Sequence, residues 1–420
     1  MRFVYAVAWL VVTPFVIARL AWRARKQPGY LRHLGERFGR YGAAPAAQRI
    51  WVHAVSVGET RAAALLVAVL AKRFPSHRIL VTHMTPTGRE TGIALLGDRV
   101  ERAWLPYDMG FAVRGFLAHF RPAFGVILET EVWPRLLDEA ARARIPVVLA
   151  NARLSERSAR RYARWPAFAR WAFGNLAGVA AQSAGDARRL EELGAPRAVV
   201  LGNVKFDVDA APAMLELGSR LRARVEAGRT VWVAGSTREG EEALLLDALN
   251  AMPRASRGLL VIVPRHPQRF DEVAALAHAK GFAVARRSDE RAIGRDIDVV
   301  LGDSMGEMLA YYAMGDVVII GGSLLDYGAQ NLIEAAAVGR ASIVGPSTYN
   351  FEEAAREAIA AGAAISVPTA AAALEAARRI CADQAAMRGM GEKGRAFVAA
   401  HRGAVERLAA WIGETVRQAP

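Results

Sequence analysis

Short runs of aliphatic and β-branched residues recur along this chain, separated by longer Ala- and Arg-rich helical patterns, and this alternation is its strongest constraint on fold. Ile50–Val55, Ile79–Thr82, Gly125–Leu128, Val147–Ala150, Gly178–Ala181 and Val199–Leu201 read as strands. The stretch 206–229 is less strand-like and holds Pro212 and Gly228. The pattern then restarts with Val231–Ala234, Leu259–Val263, Val299–Leu301, Val317–Ile320 and Ser342–Val344. Strands alternating with helices specify βαβ units and parallel sheets. A chain of 420 residues is too long for one core. Two α/β doubly wound domains are therefore expected, over 26–210 and 230–420, joined by a linker at 211–229. Ligands of open α/β sheets sit beyond the carboxyl ends of the strands. Functional residues should follow strands and face a cleft between the two domains.

Charge and composition narrow the partner. Hydrophobic residues are 53% and charged residues 23%, a globular balance. The single cysteine, Cys381, excludes an internal disulfide, favours a reducing compartment and leaves no zinc or iron–sulfur spacing. A net charge of +14 calls for an anionic partner. Residues 3–18 carry no charge, and extending to Trp22 admits only Arg19. That is the short limit for a spanning helix, in which Pro14 is tolerated. Arg23, Arg25, Lys26, Arg32, Arg37 and Arg40 follow, against the one acid Glu36. The positive-inside rule places everything after residue 22 in the cytoplasm. No small-residue cleavage site follows, so residues 1–25 are read as a retained membrane anchor that either spans or lies in the bilayer. Between Arg153 and Phe173, six arginines interleave with Tyr162, Trp165, Phe168 and Trp171, and Pro166 must interrupt any helix. This is either a solvated face over core aromatics or a surface for lipid phosphates and acyl chains. No nucleic-acid-binding motif is present, which argues against nucleic acid and leaves anionic membrane lipid or a phosphorylated substrate as the expected partner.

Several strand ends carry chemistry. In V-H-A-V-S-V-G-E-T, Glu59 falls in the first turn of a helix, where the dipole favours its ionised form. It either caps that helix or accepts a proton from a hydroxyl in the cleft. L-E-T-E-V-W-P places Glu129 and Glu131 at the end of an apolar strand, one free to face the cleft and the other to cap the helix opened by Pro134. Which does which is not readable from the spacing. Lys205 in G-N-V-K-F-D suits a phosphate or carboxylate. Asp207 and Asp209 form a D-x-D, too common a tripeptide to argue for a metal. In the second half, Arg265 is fixed between Pro264 and a following proline, and G-D-S-M-G-E offers backbone N–H groups to an anion. Glu334, one turn into the helix after Asn331, could grip ribose hydroxyls. Neither a dinucleotide fingerprint nor a P-loop is present.

Taken in order, W-V-H-A-V-S-V-G-E-T, M-T-P-T-G, L-P-Y-D, L-E-T-E-V-W-P, N-A-R-L-S-E-R-S, G-N-V-K-F-D, V-P-R-H-P, G-D-S-M-G-E and Q-N-L-I-E-A-A resemble the 3-deoxy-D-manno-octulosonic acid (Kdo) transferase family over nearly the whole chain. The resemblance implies a GT-B glycosyltransferase fold. It implies inverting transfer of Kdo from CMP-Kdo to a lipid A precursor at the cytoplasmic side of the inner membrane. It implies no cofactor and no metal. Glu59 would be the general base, and Glu129 and Lys205 transition-state stabilisers. Pro264, Arg265, Met305, Gly306, Glu307, Asn331, Leu332, Ile333 and Glu334 would bind CMP. Where many members carry histidine before that asparagine, this chain has Gln330, which cannot carry charge.

Overall fold

A computed structural model of the protein describes residues 1–25, 27–43, 47–208 and 210–418. Lys26 of the basic run and Asp209 of the D-x-D lie outside them. The chain divides into two compact units, Met1–Asp207 with Gly403–Pro420, and Val208–Arg402.

The first unit is built on a seven-stranded parallel sheet. Its strands are β1 Arg49–His53, β2 Arg78–His83, β3 Glu101–Trp104, β4 Pro122–Leu128, β5 Val147–Ala152, β6 Gly178–Ala181 and β7 Ala198–Val200, in the order β3-β2-β1-β4-β5-β6-β7. Alternate side chains of each strand feed opposite faces. Ile50, Val52 and Val126 pack against Leu66 and Leu70 on one face, while Trp51, Ile127 and Leu149 pack against Phe116, Leu137 and Phe173 on the other. Burial on both faces is why the central strands read as unbroken apolar runs.

The second unit has a sheet of the same kind. Its strands are β8 Val231–Thr237, β9 Leu259–Pro264, β10 Val284–Arg286, β11 Val299–Leu301, β12 Val317–Ile320, β13 Ala341–Val344 and β14 Ala364–Ser366, ordered β10-β11-β9-β8-β12-β13-β14. Three strands absent from the sequence reading, β3, β10 and β14, all lie at sheet edges. An edge strand is short and partly solvated, so Glu101-Arg102 or the lone apolar pair of β14 gives no apolar run.

The expected linker and domain ends are corrected. Pro212–Ala223 is a helix of the second unit, with Pro212 in its first turn, where a missing N–H costs nothing. Gly218 lets this helix close on the helix Met308–Met314; a Cβ there would stand 2.6 Å from that of Ala313. The final helix, Ala404–Gln418, belongs to the first unit. Its Val405, Leu408 and Ile412 complete the core under β1 and β4. Asp207 secures its start by accepting the N–H groups of Gly403 (2.5 Å) and Val405 (2.6 Å). The first aspartate of the D-x-D is therefore a helix cap.

The helix Arg2–Ala24 is, among the described residues, the one long and apolar enough to cross a membrane. One stripe of it docks on the first unit. Arg2 reaches Asp138 (2.5 Å), the Tyr5 hydroxyl donates to Asp108 (2.7 Å), and Trp9, Val16 and Leu20 pack around Tyr107 and Met109. The other stripe, with Phe3, Leu10 and Phe15, is exposed.

Candidate active site

In the first sheet the winding reverses between β1 and β4, which are neighbours although β2 and β3 intervene in sequence. Such a reversal opens a crevice at the carboxyl ends. Beyond β1, the Ser56 Oγ accepts the Glu59 N–H (3.3 Å) and starts the helix Val57–Arg73. The Glu59 carboxylate reaches back to accept the Val55 N–H (2.6 Å) and the Ser56 hydroxyl (3.0 Å). Ser56 is thus the N-cap, and Glu59 closes the turn through the N–H of Val55, the residue before Ser56, a relative of the capping box. The capping reading of Glu59 therefore describes its bonds, while its side chain stays partly exposed at the carboxyl edge. Burial, and then the charge of Glu129, push its pKa upward against those two donors. Burial and a like charge thus oppose the helix start, which favours the ionised form.

Beyond β4, Glu129 adopts a left-handed backbone conformation (φ 58°), with its N–H held by the Ala150 carbonyl. Its Oε1 lies 2.7 Å from the Lys205 ammonium, and both side chains are 18% exposed, dry enough for the pair to be strong. Lys205 sits in a single 3-10 turn, Val204–Phe206, capped by Asn203. Glu131 is half-buried beside Glu59 and Glu129, and burial followed by their two charges raises its carboxyl to about 7. It does not cap the helix opened by Pro134, as one alternative had it. The free N–H groups of Arg135 and Leu136 go to Asp108, 27 and 28 residues earlier, at 2.9 and 2.7 Å. Pairing over that distance leaves no local sequence signal.

The second unit repeats the reversal between β8 and β12. Pro264 ends β9 in the core, and Arg265 follows, half-exposed, its N–H on the Thr237 carbonyl (2.9 Å). The buried Tyr312 lies within reach of the charges of both Glu334 and Arg265. After β11, Met305 and Gly306 form an exposed turn with Gly306 at φ 82°. Glu307 is committed to the chain itself: Arg287 grips it at 2.9 and 3.2 Å, and Ser304 donates at 2.5 Å. Asn331 caps its helix by accepting the Ile333 N–H and donates to Glu334, both at 3.1 Å. The Leu332 and Ile333 side chains are buried in the core, so those residues can meet a ligand only through backbone.

Two supporting groups carry no local sequence signal. Asn151, fully buried at a bulge in β5, accepts the Val204 N–H (3.1 Å) and so ties down the turn that carries Lys205. Glu241, equally buried, accepts the N–H groups of Gly322 (2.6 Å), Leu324 (2.9 Å) and Arg238 (2.8 Å) and shapes the loop after β12. Asn151 lies within N-A-R-L-S-E-R-S, but nothing in that string names its partner.

A sequence profile described as 3-deoxy-D-manno-octulosonic-acid transferase (kdotransferase) matches residues 32–208. The 3-deoxy-D-manno-octulosonic acid transferase of Bordetella pertussis is 45% identical, over 98% of this chain and all of that one. That of Haemophilus influenzae is 35% identical over 97% of each. Among solved structures, a glycosyltransferase from Rickettsia africae superposes with a TM-score of 0.59 at 13% identity, covering 90% of this chain and all of that one. A UDP-GlcNAc 2-epimerase from Neisseria meningitidis gives 0.58 at 15%, over 88% of this chain and all of that one. These two likenesses speak to the fold, two wound domains of the GT-B kind.

Proposed function

The chain belongs to the 3-deoxy-D-manno-octulosonic acid transferase family, and from that premise we propose that it transfers Kdo from CMP-Kdo to a lipid A precursor, an acylated glucosamine disaccharide phosphate, with inversion and with Glu59 as general base. The observation that carries this reading is the group at the β1/β4 reversal: a carboxylate of raised pKa beside a Glu129–Lys205 pair. A base is most effective when its pKa approaches the working pH, and burial moves Glu59 that way. Its two bonds from Val55 and Ser56 occupy part of the carboxylate's acceptor capacity and leave room for a proton.

The anomeric carbon of the donor carries a carboxylate and the phosphate of CMP. An acceptor hydroxyl oxygen bonds to that carbon from the opposite face while the carbon–phosphate oxygen bond breaks. CMP leaves with the electron pair, and the hydroxyl proton goes to a Glu59 oxygen. Positive charge grows at the sugar centre and negative charge on the departing phosphate. Glu129 answers the first and Lys205 the second or the sugar carboxylate. Arg265, the exposed N–H groups of Met305 and Gly306, and the 331–334 segment bind CMP. Glu307 keeps the turn in place through Arg287. Leu332 and Ile333 hold the segment by packing. The acceptor is a membrane lipid, which gives the exposed stripe of the first helix and the arginines of 153–170 a purpose at the cytoplasmic side of the inner membrane.

Incubation of the full chain with CMP-Kdo and a tetra-acylated lipid A precursor, read by product mass, tests donor and acceptor together. Kdo addition is expected, with no product from UDP-GlcNAc; the reverse result defeats the reading. Glu59→Gln should slow transfer by roughly 10²–10⁴-fold while CMP binding persists. Near-full transfer by that variant would remove Glu59 from the mechanism.

A further inference from the structure

Strand β5 does not run regularly into its last residues. Leu149 pairs with Val179 and Ala152 with Ala181, so β5 spends one residue more than β6 over the same span. The extra residue makes a bulge at 150–151, and Asn151 takes a left-handed conformation there (φ 51°). Asparagine tolerates that conformation better than most side chains. The bulge turns Asn151 inward, where it is 1% exposed. Its carbonyl accepts from Gln182 Nε2 (2.9 Å), which pins the backbone to the end of β6. Its Oδ1 accepts the Val204 N–H (3.1 Å), a wholly buried bond across 53 residues. Its Nδ2 has no hydrogen-bond partner among the described residues. On the other side of Asn151, Ala150 receives the Glu129 N–H. One residue thus touches the turn that displays Lys205 and adjoins the strand end that displays Glu129.

We propose that Asn151 is a positioning residue for the transfer reaction: its Oδ1 fixes the Val204–Phe206 turn so that the Lys205 ammonium meets Glu129. The inference rests on the reading that Lys205 and Glu129 act in catalysis. Bulges beside active sites re-aim side chains. Here the re-aimed side chain does not touch substrate; it sets the place of one that does. A buried backbone N–H released from its acceptor moves toward another, and a displacement of about 1 Å at a working group costs on the order of 10²-fold in rate.

The test is a double-mutant cycle on the full chain with CMP-Kdo and the lipid acceptor. Asn151→Gly keeps the left-handed backbone available and removes Oδ1. It should lower kcat roughly 10- to 100-fold, the usual range for groups that orient a working residue, with KM for CMP-Kdo within about twofold. In a Lys205→Ala background the same change should cost less than about twofold, because the residue it positions is gone. Asn151→Asp, which keeps Oδ1, should recover most of the Gly variant's loss. Hydrogen exchange supplies a readout independent of rate: protection should fall at the amides of 204–206 and not across β4 and β5. Equal losses in both backgrounds, or exchange spreading through the sheet, would make Asn151 a fold residue and end the proposal. No loss in Asn151→Gly beside a large loss in Lys205→Ala would also end it and leave the catalytic reading standing. No loss in Lys205→Ala defeats the catalytic reading itself.

Discussion

Glu59, Glu129 and Glu131 stand close together: the charge of Glu129 raises the pKa of Glu59, and the charges of Glu59 and Glu129 raise that of Glu131. Glu129 is balanced by Lys205; Glu131 has burial and two acidic neighbours against it and reaches about 7. Glu59 must be deprotonated to accept a proton, so kcat/KM should rise with pH through its pKa, which burial and Glu129 place above the ordinary carboxylate range. Glu131, at about 7, is largely protonated along an acidic limb, so Glu131→Gln should leave that limb in place; a limb that moves to lower pH would show that Glu59 and Glu131 share their protons. Stability carries the opposite sign. A carboxyl raised from 4.5 to about 7 on folding stabilises the native state below about 4.5, and that contribution is lost as pH climbs through 7. Urea midpoints of the wild type should therefore fall across that window more steeply than those of Glu131→Gln.

Elements show what the sequence could and could not reveal. Central strands were legible because both their faces are covered, as with Val52 and Trp51 facing opposite cores. The edge strands β3, β10 and β14 were not, since half-solvated segments need no apolar run. Pro212 misled in the other direction: a residue that stops helices in their interior opens one here. The residues after strand ends were readable as a set, because strand–turn–helix junctions have a local signature. Their supports were not, because Asp108 with Leu136, Asn151 with Val204 and Asp207 with Val405 pair across 28, 53 and 198 residues. The last of these joins the two ends of the first unit. Asp207→Ala should cost that unit about 0.5–2 kcal/mol, the usual worth of a helix cap, seen as a lower urea midpoint and faster amide exchange at Val405. Unchanged exchange there would mean that packing of Leu408 and Ile412 alone fixes the helix.

The molecule as a whole carries +14, yet charge alone would hold it to a membrane only weakly. Each arginine near an anionic surface contributes about 1 kcal/mol and is screened by salt. Each large side chain such as Phe3, Leu10 or Phe15 buried in lipid contributes about 1.5–3 kcal/mol and is not. With the Tyr5–Trp9–Val16–Leu20 stripe occupied by protein, the first helix has only one side left to offer a bilayer. A spanning orientation would have to strip Tyr5 from Asp108 and Arg2 from Asp138, leaving both acids, each 3% exposed or less, without those partners. For a membrane-bound chain the cheaper arrangement would lay the helix in the interface; Trp165, on the basic stretch whose Phe168 and Trp171 touch Tyr5, is 70% exposed. Association with anionic vesicles should accordingly weaken but persist at 1 M salt, and Phe15→Glu with Leu10→Glu should abolish it at any salt while transfer to detergent-dispersed acceptor continues. In sealed vesicles with the cytoplasmic face outward, a tag placed before Met1 should be cut by added protease. Protection of that tag, with the body of the chain digested, would mean that the helix crosses the bilayer after all.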